Sequence, residues 1–198
     1  MGMCNSMPAI LKDSAASTWL SVAVDDSKMY VTDKNTSLTY TFDPDSKTCC
    51  GPYDLCPDAT VFGVVTGFAN GRFILVEAVG IAVNLKTVKM WEVNGVSLEC
   101  KKLIGEMPPV MVEKLKGETD STGTVSMSCT RDMVCLHNTW PREELILCEL
   151  VDGGCRRGSV RNAVVNDGTR MQKLVVTCSN VGLPDLHKAE QLRALKVV

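Results

Sequence analysis

The feature that most constrains the fold is a pattern of short β-rich runs and turns that occurs three times along the chain. Each copy holds a first strand, a tight turn, a second strand, a connection and a third strand. Short strands at such regular spacing, with turn residues between them, are typical of an all-β sandwich, barrel or propeller. The predicted strands are 19–24, 28–31 and 38–42 in the first copy, 61–68, 73–76 and 88–93 in the second, and 124–129, 133–136 and 145–150 in the third.

The third strand of each copy ends in a turn sequence, which predicts that a fourth strand follows. Asn-Gly and Asp-Gly suit the left-handed backbone positions of tight hairpins. Each copy is therefore predicted to be an antiparallel meander of four strands. The turn sequences are Asp43-Pro44-Asp45-Ser46, Asn94-Gly95 and Asp152-Gly153-Gly154.

The copies recur at the spacing of propeller blades. The corresponding residues Phe42, Trp91 and Cys148 are 49 and 57 residues apart, and loop insertions explain the unequal spacing. A blade buries its faces only against neighbouring blades, so three blades predict an open part of a propeller. The repeats are placed at about 9–57, 58–109 and 110–160 of a single, incomplete domain that spans 1–198, with a remainder at 161–198.

These repeats resemble the kelch-repeat region of plant F-box/kelch proteins, where an aromatic residue is followed by Trp seven residues later and then by a Met-Pro-like element. The resemblance covers residues 7–155. The sequence departs from the family pattern where Cys49 and Leu98 occupy the Trp position, and where the usual Gly pair is replaced. The residues that carry the resemblance are Phe42 to Thr48 leading to Cys49, Met90-Trp91-Glu92-Val93-Asn94, Met7-Pro8 and Met107-Pro108, and the replaced Gly pairs read Thr32-Asp33, Glu77-Ala78 and His137-Asn138.

The resemblance implies an all-β, partial kelch-like β-propeller that binds proteins. In this family such a region recognises the substrate of an SCF-type, cullin-RING E3 ubiquitin ligase, and a biosynthetic enzyme is one candidate substrate. A Skp-type adaptor is expected to bind only if a longer form contains an F-box, because no F-box-like helical module precedes residue 7. The implied location is the cytoplasm, the nucleus or both.

The connections between second and third strands are the predicted binding loops, because a propeller presents them at one end of its channel. These connections are 32–37, 78–87 and 137–143. Trp and Arg are enriched at binding hot spots, although Trp140 before Pro141 is equally well interpreted as a plug over the blade. The candidate protein-binding residues are Lys34, His137, Trp140 and Arg142, while Lys34 and the pair Arg156 and Arg157 also fit solvated charges.

Catalytic and metal sites are not predicted. The sequence contains no Cys-x-x-Cys pair, and its closest metal-like grouping, Cys129, Cys135 and His137, is better explained by packing. The two histidines, His137 and His187, lie in no active-site motif. A propeller enzyme of the galactose-oxidase type is the alternative function, with Tyr and His as copper ligands. We expect no cofactor.

Charge, cysteine content and hydropathy further limit the classes of function and location that fit this sequence. Lys and Arg number 21 against 23 acidic residues, which gives no basic field for nucleic acid. Ten irregularly spaced cysteines without a leader segment fit a reducing compartment.

The apolar tract 61–85 is predicted to be two strands, because Asn70-Gly71 interrupts it. Gly2 and Cys4 match a lipidation pattern too short to be specific. Helical periodicity is nearly absent except at 185–195, where a short helix is predicted, and a strand is predicted at 174–177. A proline precedes the first strand of each copy, at Pro8, Pro57 and Pro109.

Overall fold

The computed structural model describes residues 20–56, 60–81, 84–98, 101–116, 125–138, 144–152 and 154–161. They form an all-β arrangement of twelve strands with one short helix between the eighth and ninth strands, which confirms the predicted fold class. The strands are β1 Leu20–Val24, β2 Met29–Asp33, β3 Leu38–Asp43, β4 Thr48–Asp54, β5 Val61–Ala69, β6 Arg72–Ile81, β7 Asn84–Val93, β8 Lys101–Glu106, β9 Val125–Thr130, β10 Met133–Asn138, β11 Glu144–Val151 and β12 Gly154–Arg161.

The strands form three sheets of four antiparallel strands, each in chain order. We call them blade 1 (β1–β4), blade 2 (β5–β8) and blade 3 (β9–β12). The nine strands located from the sequence all fall in these blades, so those predictions are confirmed. Blades 1 and 2 lie inside the first two predicted repeats, and β12 ends one residue beyond the third. The single domain over 1–198 stays a prediction.

The tract 61–85 forms a hairpin of β5 and β6 that continues into β7, as predicted. Asn70 and Gly71 connect the first two strands with φ values of 54° and 67°. Two central residues with positive φ match the right-handed twist of a hairpin, and Asn-Gly adopts them with little strain. No helix in the described part of the chain is long and apolar enough to cross a membrane.

Neighbouring blades are joined along their first strands. β5 lies between β1 and β9, so these three strands form the inner edge of the arc. Two hydrophobic cores fill the seams, one between blades 1 and 2 and the other between blades 2 and 3. The first contains Tyr30, Val64, Phe73, Leu75 and Val93, and the second contains Ile74, Val76, Val88, Val134 and Ile146.

The helix α1, Pro109–Lys116, contradicts the expectation that helical periodicity is nearly absent outside the tail. Pro109 was also interpreted as preceding a strand, whereas it opens this helix, a position where its missing amide hydrogen costs nothing. Val112 and Leu115 are buried in the core between blades 2 and 3. The helix therefore closes the upper part of that seam.

Several predictions fall on residues outside the described ranges. They are the helix at 185–195, the strand at 174–177, the lipidation pattern at Gly2 and Cys4, and the prolines Pro8 and Pro57.

Candidate functional site

Because the strands of each blade are antiparallel, successive connections lie at alternate ends of the blade. We call the upper end the one that holds the β2–β3, β6–β7 and β10–β11 connections and α1. The lower end holds the hairpin turns that join the first strand of each blade to the second and the third strand to the fourth. Lys34 directly follows β2, and His137 is the last residue but one of β10, just before the β10–β11 connection. Two of the four predicted binding residues are thus at the upper end.

Lys34 lies where blade 1 meets blade 2. The backbone amide of Val64 in β5 donates a hydrogen bond to the carbonyl oxygen of Lys34 at 2.8 Å. The turn that presents Lys34 is fixed by the Asp33 carboxylate, which accepts hydrogen bonds from the amides of Asn35 and Thr36 at 2.8 and 3.0 Å. Partial burial lowers the pKa of the Lys34 ammonium. A local Asx turn and one contact between blades therefore hold this lysine in place.

His137 is buried, with 9% of its surface exposed. Its ring Nδ1 contacts the carbonyl oxygen of Asn138 at 3.2 Å and donates to it. Burial lowers the pKa of His137, and the charge of Lys34 lowers it further against the effect of that hydrogen bond. The structure therefore brings the charge of Lys34 within electrostatic range of His137, although the two residues belong to blades 1 and 3. His137 presents little surface to a partner.

Trp140 and Arg142, the other two predicted binding residues, lie outside the described residues. The strand ends that flank their connection, Asn138 and Glu144, lie at the upper end. The side chain of Asn138 donates a hydrogen bond to the carbonyl oxygen of Leu115 at 2.9 Å, which fixes the C-terminus of α1 to blade 3. This role of Asn138 was not predicted from the sequence.

Two exposed apolar side chains at the upper end were also missed. Ile81 ends β6 and is 59% exposed, and Val110 in the first turn of α1 is 70% exposed. Asn35 beside Lys34 is exposed as well. Surfaces that bind proteins typically have several exposed apolar side chains that adjoin one another and have polar side chains around them. Ile81 falls in the predicted connection 78–87, but that prediction was wrong in its bounds, because β6 extends to Ile81 and β7 begins at Asn84.

The upper end has a cavity of about 30 Å³, lined by residues of all three blades that include Lys34, Phe62, Val76 and Val125. A space of this size holds one or two water molecules. The lower end has an open groove of about 400 Å³ beside Tyr30. Its charged wall is neutralised in part, because the Arg72 guanidinium and the Glu92 carboxylate form an ion pair at 2.7 Å.

One tyrosine and one histidine considered for the alternative copper site, Tyr30 and His137, lie at opposite ends of the blades. The Tyr30 hydroxyl lies at the lower end, where it donates to the Gly95 carbonyl at 3.0 Å and contacts the Asp25 carboxylate at 3.2 Å. His137 lies at the upper end. Among the described residues, no three His, Cys, Asp or Glu side chains are grouped so that they could hold a metal ion. Burial raises the pKa of both Cys129 and Cys135 to about 12, which suits packed thiols.

Arg157, interpreted as a solvated charge, instead packs in the seam between blades 2 and 3. Its guanidinium lies against Gly105 of β8, beside the sulfur of Cys155. Arg156 is the solvated one of the pair, with a side chain that is 60% exposed and 3.6 Å from Glu149. The two adjacent arginines point to opposite faces of β12, as the period of a strand requires.

The chain is similar to a plant protein over nearly the whole length of the chain. It is 34% identical to an F-box/kelch-repeat protein of Arabidopsis thaliana over 94% of this chain, and the matched part spans 50% of that protein. No family model matches the chain, and no solved structure matches it. The sequence identity and the three four-stranded blades confirm the predicted resemblance to the plant F-box/kelch-repeat proteins.

Proposed function

We propose that this chain is a protein-binding kelch module and serves as the substrate-recognition portion of an SCF-type, cullin-RING E3 ubiquitin ligase. The observation that carries the proposal is the common placement of three connections between second and third strands at the upper end of adjacent blades. Several short segments can then grip one partner together. The name of the Arabidopsis relative supports this function.

In this role the chain holds a protein while other subunits transfer ubiquitin to it. The partner is a protein substrate, for which a biosynthetic enzyme is a candidate, and a Skp-type adaptor would bind through an F-box of a longer form. The contact residues are Lys34 and Ile81 together with Trp140 and Arg142, while His137 supports them from within blade 3. This activity would take place in the cytoplasm or the nucleus. Among the described residues, no observation favours the enzyme alternative.

The test compares two surface variants in affinity purification from plant cells. The upper-end variant combines Lys34→Glu with Ile81→Asp. The control is Val96→Asp at the lower end, where Val96 is 90% exposed and a charge is equally well solvated. We expect proteins that copurify with the wild type and the control to be lost from the upper-end variant, and proteasome inhibition to raise their cellular level. Equal recovery with all three chains, or no response to the inhibitor, would contradict the proposal.

A further inference from the structure

Two cysteines of blade 3 lie side by side on the face that packs against blade 2. In the pairing of β11 with β12, Cys148 is opposite Arg157 and Leu150 is opposite Cys155. Residues two apart on a strand share a face, so Cys148 and Cys155 are diagonal neighbours on one side of the sheet. Cys148 belongs to the core between blades 2 and 3, and Cys155 packs against that core. The Cys148 thiol donates a hydrogen bond to the Cys155 sulfur.

The two thiols differ in their access to solvent and to positive charge. Cys148 is 1% exposed, whereas Cys155 is half-buried. The guanidinium of Arg157 donates a hydrogen bond to Cys155, and the charge of Arg72 lies within range of the same sulfur. A thiolate is stabilised by donors and by guanidinium groups, and it is the form of cysteine that reacts. The thiolate form is therefore favoured at Cys155 and disfavoured at Cys148.

Gly105 in β8 of blade 2 provides the space for this arrangement. A Cβ atom at this position would lie 3.2 Å from the Cys155 sulfur and 2.9 Å from the Cζ atom of Arg157. Any larger residue would displace the guanidinium from the thiol. Both blades therefore form the site, because the Arg157 guanidinium of blade 3 packs against Gly105 of blade 2.

We propose that Cys155, Cys148 and Arg157 form a peroxide-sensitive dithiol site at the seam between blades 2 and 3. The Cys155 thiolate attacks one oxygen of hydrogen peroxide, the O–O bond breaks, and the products are the Cys155 sulfenic acid and hydroxide, which takes up a proton to become water. The Cys148 sulfur then attacks the sulfenic sulfur, the S–O bond breaks, and a second water leaves with the thiol proton. The peroxide is reduced and the two thiols are oxidised to one disulfide.

The reactivity of Cys155 also has a measurable pH dependence. The hydrogen bond from Cys148 and the charge of Arg157, acting against burial, lower the pKa of Cys155 to about 6. Alkylation of Cys155 by iodoacetamide should therefore reach half its maximal rate near that pH. Arg157→Gln should move the midpoint upward, and Arg157→Lys should restore part of the shift because it keeps the charge.

The oxidation test uses the whole reduced chain, treated with hydrogen peroxide and read by mass spectrometry of its peptides. We expect a Cys148–Cys155 disulfide in the wild type, a trapped sulfenic acid at Cys155 in Cys148→Ser, and neither product in Cys155→Ser. Cys135→Ser is the matched control, since its buried thiol lies in the same blade, and it should behave as the wild type. Oxidation of Cys155 no faster than that of the half-buried Cys50 would overturn the site, and a persistent sulfenic acid in the wild type would overturn the role of Cys148. If a variant fails to fold, the pH profile of wild-type Cys155 decides alone.

Discussion

The hydroxyl of Ser21 and the backbone of Thr66 form two hydrogen bonds across the seam between blades 1 and 2. The Ser21 hydroxyl donates to the Thr66 carbonyl at 3.1 Å and accepts from the Thr66 amide at 2.9 Å. The Thr66 hydroxyl contacts Thr32 at 3.2 Å, and Thr32 contacts Thr39 at 2.9 Å. A buried polar chain thus joins blades 1 and 2 beside their apolar core.

Replacement of Ser21 by Ala should lower the free energy of unfolding by about 1–3 kcal/mol, because it leaves a buried amide and a buried carbonyl of Thr66 without this partner. Chemical denaturation monitored by circular dichroism measures the change. Ser46→Ala is the control, since its exposed hydroxyl contacts only groups of its own turn, Thr48 at 2.7 Å and Asp43; it should change stability by less than about 0.5 kcal/mol. Equal effects of the two substitutions would show that the seam does not depend on this pair.

Gly67 in β5 lies against blade 3, and a side chain there should force the seam open. A Cβ atom at this position would lie 2.7 Å from the Cys129 sulfur and 2.9 Å from the Met127 Cε atom. Gly67→Ala should therefore cost about 1–3 kcal/mol of stability. Gly63→Ala on the same strand is the matched control, because its Cβ would meet its nearest atoms at 3.9 Å.

A second substitution distinguishes overpacking from strand propensity at Gly67. Cys129→Ala removes the sulfur that the new methyl group would meet, so the double variant should be more stable than the sum of the two single effects predicts. A coupling free energy of about 0.5 kcal/mol or more is expected for residues in contact. If the effects of the two substitutions on stability are strictly additive, contact with the Cys129 sulfur is not the cause of the destabilisation.

The lowered pKa of His137 predicts a loss of stability in mild acid. Burial, followed by the charge of Lys34, disfavours the imidazolium in the folded chain. The unfolded chain binds a proton at the ordinary histidine pKa, so the contribution of His137 is present above that pKa and is lost as the pH falls below it, until the folded form is protonated too. Denaturation midpoints at pH 7.5 and 5.5 measure the loss. His137→Gln should flatten this dependence and His187→Gln should retain it; a flat wild-type profile would contradict the predicted shift.

The sequence predicted the inner strands of each blade well and the outer ones poorly. β5, β6 and β7 are rich in Val, Ile and Leu, and the turns after β5 and β7 carry Asn and Gly, so pattern and turn chemistry agree there. The fourth strands lie at sheet edges, where a regular apolar pattern is not required. β4 contains Gly51 and Pro52, which are tolerated at an edge and otherwise argue against a strand. β12 begins with Gly154 and carries three arginines.

The helix α1 was missed for a related reason. Only Val112 and Leu115 of its eight residues are buried, so its apolar stripe is too short to be distinguished from strand alternation. Tertiary contacts stabilise it instead. Lys114 contacts Glu144 at 2.5 Å and Ser159 at 2.8 Å, and both partners lie in β-strands of blade 3.

The candidate site was predictable in its loops but not in its contacts. Lys34 follows a strand before a turn, which placed it on a connection. The effect of the Lys34 charge on the pKa of His137 depends on how blades 1, 2 and 3 pack. The local sequence around either residue does not encode the distance between them. The same holds for Arg157, because the glycine that receives its guanidinium is about fifty residues earlier, in another blade.

The strand β6 contributes to both cores. Phe73 and Leu75 face the seam with blade 1, while Ile74 and Val76 face the seam with blade 3. Blades 1 and 3 can each detach by exposing one seam, but blade 2 loses its burial only when both seams are exposed. In native-state hydrogen exchange, the amides of β6 should therefore be the last to exchange, and they should report the global opening of the described blades while β1 and β12 report local ones.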